Sequence, residues 1–100
     1  MAIIISPKVR KKLAEKDPPV ADQEIVECFQ NRTKRALIDN RQQHKTKPPT
    51  RWFIAETDSS RRLKIIFITY PSGDHVIKSA FEPYEHEERI YENETKTRDR

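Results

Sequence analysis

Trp52-Phe53-Ile54-Ala55-Glu56-Thr57, then the polar Asp58-Ser59-Ser60-Arg61, then Leu63-Lys64-Ile65-Ile66-Phe67-Ile68-Thr69-Tyr70: this stretch decides the fold. Two runs rich in β-branched and aromatic residues on either side of a short polar link read as an antiparallel hairpin. In the second run Leu63, Ile65 and Phe67 fall on one face and Ile66 and Ile68 on the other. A strand apolar on both faces must be covered on both, so it belongs in the middle of a sheet. Pro71-Ser72-Gly73-Asp74 predicts the next turn, with the single glycine where a positive φ is favoured. Val76 to Phe81 then predicts a further strand.

Outward from this centre, Ile3 to Ile5 fits a short edge strand, and Ser6-Pro7 fits an N-cap with a first-turn proline. The helix that follows has Val9 and Leu13 one turn apart, while Lys8, Arg10, Lys11, Lys12 and Lys16 make most of its remaining surface cationic. Pro18 and Pro19 end it. Ile25, Cys28 and Phe29 recur at helical spacing, predicting a second helix over Asp22 to Gln30 that pairs with the first as a hairpin. Residues 31–50 are polar, admit a strand at Ala36 to Asp39, and otherwise read as a long exposed loop. Pro83 opens a last helix through about Asn93, with Tyr84 and Tyr91 on one face. The expectation is an α+β fold: two N-terminal helices, a three- to four-stranded antiparallel sheet and a C-terminal helix, with the helices on one sheet face. One domain over residues 1–94 and a flexible tail at 95–100 account for the chain.

Charge is segregated. Residues 31–51 carry seven Lys or Arg against one acid, whereas residues 82–94 carry six Glu against one Arg. The net charge of +4 is modest, so these local clusters are the stronger pointer to a polyanionic partner. Arg32, Lys34, Arg35, Arg41, Lys45, Lys47 and Arg51 lead into Trp52, and cations beside an aromatic ring suit phosphate and base contacts. Cys28 is the only cysteine, so no internal disulfide can form and a reducing cytoplasmic setting is expected. The opening isoleucines fall short of a signal peptide, and no run approaches the ~20 apolar residues of a membrane span. His44, His75, His86 and Cys28 lack paired-ligand spacing, and a single glycine makes no phosphate loop. No metal and no cofactor are expected.

Three segments bear on kinship: Val20 to Phe29, Ile77-Lys78-Ser79-Ala80, and Glu88-Arg89-Ile90-Tyr91-Glu92. The first is similar to a Val-Ser-x-Glu-Glu-Ala-x-x-x-Phe helix, and the other two resemble an Ile-Ser-Ala-Arg strand end and an Arg-x-x-Tyr helix. Together they resemble the BrnT-type toxins of the RelE/ParE superfamily, small bacterial ribonucleases neutralised by a co-expressed antitoxin. The resemblance implies a RelE-like fold, RNA as substrate, a cognate antitoxin as partner, and useful side chains at Arg89 and Tyr91. The chain departs from the family's pattern at Lys16-Asp17-Pro18-Pro19-Val20, where the family has Lys-His-Gly-Val. It departs again at Ala21, where a serine cap is usual and Asp22 is expected to cap instead, and at Phe81, where an arginine is usual. Chains of this appearance are sometimes labelled ADP-ribosyl-(dinitrogen reductase) hydrolases, but the Asp clusters of such hydrolases are missing here.

Metal-independent RNA cleavage needs a base for the 2′-hydroxyl, cations for the phosphorane charge and an acid for the leaving oxygen. His44 among Arg41, Lys45 and Lys47 is the first candidate acid or base, ahead of His75 and His86. Arg51, Lys64 and Arg89 are the candidate charge stabilisers, and Lys78 is a further phosphate contact. The sequence therefore predicts a metal-independent endoribonuclease of toxin–antitoxin type. The alternative is a non-catalytic module of the same fold that binds nucleic acid or protein, and an ADP-ribosyl-(dinitrogen reductase) hydrolase-like protein comes third.

Overall fold

The computed structural model of the chain describes residues 2–39 and 47–96. Its elements are β1 (Ile3–Ile4), α1 (Pro7–Ala14), α2 (Asp22–Asn31), β2 (Leu37–Ile38), β3 (Thr50–Glu56), β4 (Arg62–Thr69), β5 (His75–Phe81) and α3 (Glu85–Lys96). The strands form one sheet in the order β1-β5-β4-β3-β2, with β4 in the centre as its doubly apolar pattern requires. β2, β3, β4 and β5 pair antiparallel, but β1 joins β5 in parallel, Ile3 opposite His75. The sheet is thus mixed and five-stranded, not a purely antiparallel sheet of three or four strands. The parallel edge exists because α1 and α2 carry the chain across the sheet between β1 and β2.

Register assigns the two faces. Arg51 opposite Phe67, Phe53 opposite Ile65 and Ala55 opposite Leu63 share one face; Trp52 opposite Ile66 and Ile54 opposite Lys64 share the other. α2 covers the first face: the Phe29 ring lies 4.9 Å from Phe53 and 5.3 Å from Phe67, both edge-on. Phe53, Leu63, Ile65, Ile25 and Cys28 are fully buried there. Each large side chain so covered contributes roughly 1.5–3 kcal/mol. α1 packs against β5 and adds Leu13, while the Arg10–Asp22 ion pair (2.8 Å) ties it to α2. Each of these helices rests on the sheet, so the expected helical hairpin is a pair of neighbours on a common support.

α3 lies on the opposite face, which overturns the expectation that all helices share one side. Tyr91 packs 5.5 Å from Trp52, and its hydroxyl donates to the carbonyl of Arg35 (2.9 Å). Tyr84 precedes the helix and is 67% exposed, so the two tyrosines do not share a buried stripe. Thr95, expected in the loose tail, is 1% exposed and bonds the Tyr91 carbonyl at 2.6 Å. The N-cap of α2 is Ala21, not Asp22; Glu24 Oε1 accepts the Ala21 N–H (3.0 Å) in place of a capping side chain. Among the described residues no helix is long and apolar enough to cross a membrane.

One arginine locks the α1–α2 connection to the sheet. Arg61 donates to Glu82 (2.8 Å), to both carboxylate oxygens of Glu24 (3.0 and 3.1 Å) and to the carbonyls of Pro18 (3.1 Å) and Pro19 (2.7 Å). Its turn holds Ser60 at φ 71°, and the Ser60 N–H bonds the Thr57 carbonyl at 2.9 Å. The guanidinium fork suits this convergence of carboxylates and carbonyls better than an ammonium would.

Candidate nucleic-acid interface

The cations singled out in the sequence divide into two groups. On the α3 face they are neutralised from within. Lys64 is 8% exposed, donates to Glu87 at 2.6 Å, and stands 4.5 Å over the Trp52 ring and 5.5 Å from Phe81. Burial alone would raise the Glu87 pKa, but the hydrogen bonds from Lys64 and the Tyr84 N–H hold it below the usual 4.5. Lys34 pairs with Glu92 (2.7 Å), Arg62 with Glu88 (2.7 Å) and Glu56 (3.3 Å), and Arg35 donates to the Glu94 carbonyl (3.0 Å). Arg89 is exposed and pairs with Glu85 one turn back (3.0 Å). The acidic helix read in the sequence as a separate charged block is the counter-charge of these side chains.

At the Arg51 end of the α2-covered face the arrangement differs. Arg32 caps the C-terminus of α2, where a cation complements the helix dipole, and its guanidinium carbon lies 5.2 Å over the Phe53 ring. Arg51 is half-buried on the same face, opposite Phe67. Neither arginine forms an ion pair among the described residues. His75 opens β5 opposite Thr69 and shares a 2.8 Å hydrogen bond between Nδ1 and Thr69 Oγ1. The imidazole stacks on Phe29 (5.3 Å, 17° between planes) and stands edge-on to Phe67 (5.3 Å). Burial, and then the positive charge of Arg32, hold its pKa below the usual 6.5, so the ring is neutral at pH 7.

Arg32 and His75 therefore stand against the rings of Phe29, Phe53 and Phe67, and Arg51 lies on the same sheet face opposite Phe67. Two arginines without carboxylate partners can hold a phosphate, and a neutral imidazole beside them can exchange a proton. Sequence reasoning reached Arg32 and Arg51 but ranked His44 above His75. The signal that favours His75 is register: its place directly after the Gly73 turn puts it in line with Thr69 and Phe67. In the sequence Phe29 and Thr69 stand out only as parts of a helix and a strand.

The other expected residues are dispersed. Lys47 is exposed and unpaired among the described residues, and Lys78 is exposed at a bulge of β5, where the register shifts between Ile66 and Phe67. Tyr91 of α3 packs on Trp52 of β3. Arg41, His44 and Lys45 lie outside the described residues. Cys28 is buried, and burial pushes its thiol pKa up to about 12, which leaves it inert as a nucleophile. A cleft of about 760 Å³ opens between α3 and the sheet, lined by Trp52, Ile66, Ile38, Ile90 and the Lys64–Glu87 pair. A second, more polar one of about 600 Å³ lies beside Asn31, Lys34, Arg62 and Tyr91. No family model matches this chain, and no curated protein or solved structure matches it either.

Proposed function

We propose that this chain binds single-stranded RNA at the Arg51 end of its sheet and cleaves it without a metal ion, as an endoribonuclease of toxin–antitoxin type on a RelE-like α+β fold. The observation that carries the reading is that Arg32 and Arg51, neither ion-paired among the described residues, share the sheet face on which the His75 ring packs against Phe29 and Phe67. In this reading the two guanidinium groups hold the scissile phosphate and stabilise the charge that develops on it. His75 exchanges the 2′-hydroxyl or leaving-group proton, with Thr69 orienting its ring through Nδ1. His44 remains the second candidate for that exchange. The half-buried His75 and Phe29 rings, stacked on each other, are the part of this cluster that an unpaired base would reach.

The test is incubation of the purified protein with end-labelled mixed RNA in excess EDTA, beside Arg32→Ala/Arg51→Ala, His75→Ala and His44→Ala variants. Discrete products that vanish with the double arginine variant and with one histidine variant support the reading and assign the proton carrier. A second reading keeps the RNA-binding surface and omits cleavage. It is favoured by the internal pairing of Lys64 and Arg89, which removes two of the cations expected to stabilise the transition state. Salt-dependent retention of intact RNA would select it. A cognate antitoxin and a cytoplasmic setting follow from the same proposal and share its fate.

A further inference from the structure

We infer that the cationic side of α1, formed by Lys8, Lys11 and Lys12, is a second contact for the RNA backbone, which makes the preferred ligand a strand long enough to reach both α1 and the Arg32–Arg51 end. The inference rests on the RNA reading above and specifies the ligand of that surface.

Lys8, Lys11 and Lys12 are all exposed and form no ion pair among the described residues. Their spacing of three and four residues stacks like charges along one stripe, which opposes helix formation. Lys8 stands in the first turn, where the helix dipole favours acids, and that turn contains none. Of the acids nearby, Asp22 is bonded to Arg10, Glu24 to Arg61 and the Ala21 N–H, and Glu27 to the Asp58 N–H (2.9 Å), while Glu15, the exposed C-cap of α1, forms no ion pair with the three lysines. Lys11 and Lys12 suit the last turn of α1, Lys8 does not suit the first, and three exposed lysines without an ion pair among the described residues offer their charge to a partner of opposite sign.

The far side of α1 is already spent on the core through Leu13, with Val9 packed beside it, so no apolar face remains for a bilayer. A polyanion that needs only charge is the better fit. Arg10 fixes α1 beside the N-terminus of α2, and Arg32 caps the other end of that helix. Ten residues of helix separate the two ends by about 15 Å. A strand of a few nucleotides covers one cationic centre; reaching both takes a longer one.

The experiment uses fluorescein-labelled 2′-O-methyl oligouridylates, which resist cleavage, of about 4 and about 16 nucleotides. Anisotropy titrations across a salt series compare the full chain with a K8Q/K11Q/K12Q variant whose folding is checked by thermal melting. The expected result is weaker 16-mer binding, on the order of tenfold at low salt, with the salt slope reduced by about 2 from three lost phosphate contacts. Binding of the 4-mer is expected to be unchanged. Equal slopes for the two proteins on the 16-mer overturn the inference and leave the RNA surface standing. Equal weakening on both lengths overturns it in favour of a general effect of net charge. Lost binding to phosphatidylserine vesicles with intact RNA binding overturns it in favour of a membrane surface. If neither oligomer binds the unmodified chain at low salt, the RNA reading fails and the inference falls with it.

Discussion

Lys64 and Arg51 are cations on adjacent strands of one sheet, and their surroundings are opposite. Lys64 is enclosed by Trp52, Phe81 and α3 and is bonded to Glu87, whereas Arg51 faces the other way at a half-buried edge with no carboxylate bonded to it among the described residues. The same contrast holds for whole regions. The α3 face pairs Lys64, Lys34 and Arg62 with acids, and the side built by α1 and α2 has its own Arg10–Asp22 and Arg61–Glu24 pairs but also carries Arg32, Arg51, Lys8, Lys11 and Lys12 with no ion pair among the described residues. The lesson is that a cation-rich sequence does not locate a binding surface; the cations left over after the fold has paired its own charges do.

The largest expected effect tests the apolar asymmetry beneath that contrast. Phe53→Ala, in the fully buried ring cluster under α2, should destabilise by about 3–5 kcal/mol in urea denaturation. Trp52→Ala, half-buried under α3, should cost about half as much. Equal losses would mean that α3 seals its face as tightly as α2 does. Next, Lys64→Ala and Lys64→Met should each cost about 2–3 kcal/mol by leaving the largely buried Glu87 without its partner, while replacing both together, Lys64→Met with Glu87→Leu, should be close to neutral. Arg51→Ala should leave the urea midpoint nearly unmoved and lower RNA affinity instead. If Lys64→Ala proved harmless to the fold, the pairing on the α3 face would have no structural role.

Acid should dismantle the two regions in separate windows. The folded-state pKa of His75 lies below 6.5, so folding favours the neutral ring; its contribution is complete above pH 6.5 and is lost as pH falls below that value. The folded-state pKa of Glu87 lies below 4.5, so the Lys64–Glu87 contribution is complete above 4.5 and is lost only as pH falls further. Urea midpoints at about pH 7, 5.5 and 3.5 should therefore show an early decline absent from His75→Gln and a later one absent from Glu87→Gln. The smallest effect belongs to the exposed Arg89–Glu85 pair: Arg89→Ala should change stability by at most about 0.5 kcal/mol. A larger loss would show that α3 depends on its outer charges as well as its inner ones.

Local pattern carried most of the fold into the sequence. The alternation in Leu63 to Ile68 predicted a central strand, and the Ile25, Cys28, Phe29 spacing predicted α2 nearly to its ends. Long-range choices were not legible: two isoleucines at Ile3 and Ile4 look the same whether they pair parallel or antiparallel. The side of the sheet taken by α3 depends on Tyr91 finding Trp52 and on Glu87 finding Lys64 across 23 residues, contacts that no local spacing encodes. The site was half legible for the same reason. Arg32 and Arg51 stood out by composition, but the environment of His75 is assembled from α2, β4 and β5, and only the fold brings them together.

The sheet's margins carry a last consequence. β1 and β2 are each two residues long, and β5 beyond Val76 has no strand beside it on its outer edge among the described residues. That outer edge is interrupted by a bulge at Lys78, a charged residue where a flat strand would invite another chain to add on. A strand as apolar as Ile65 to Ile68 is an aggregation hazard wherever its edges are left open. Short margins, one bulge and one lysine leave a second chain little edge to pair with, and Lys78 hinders strand addition there whether or not it ever meets a phosphate.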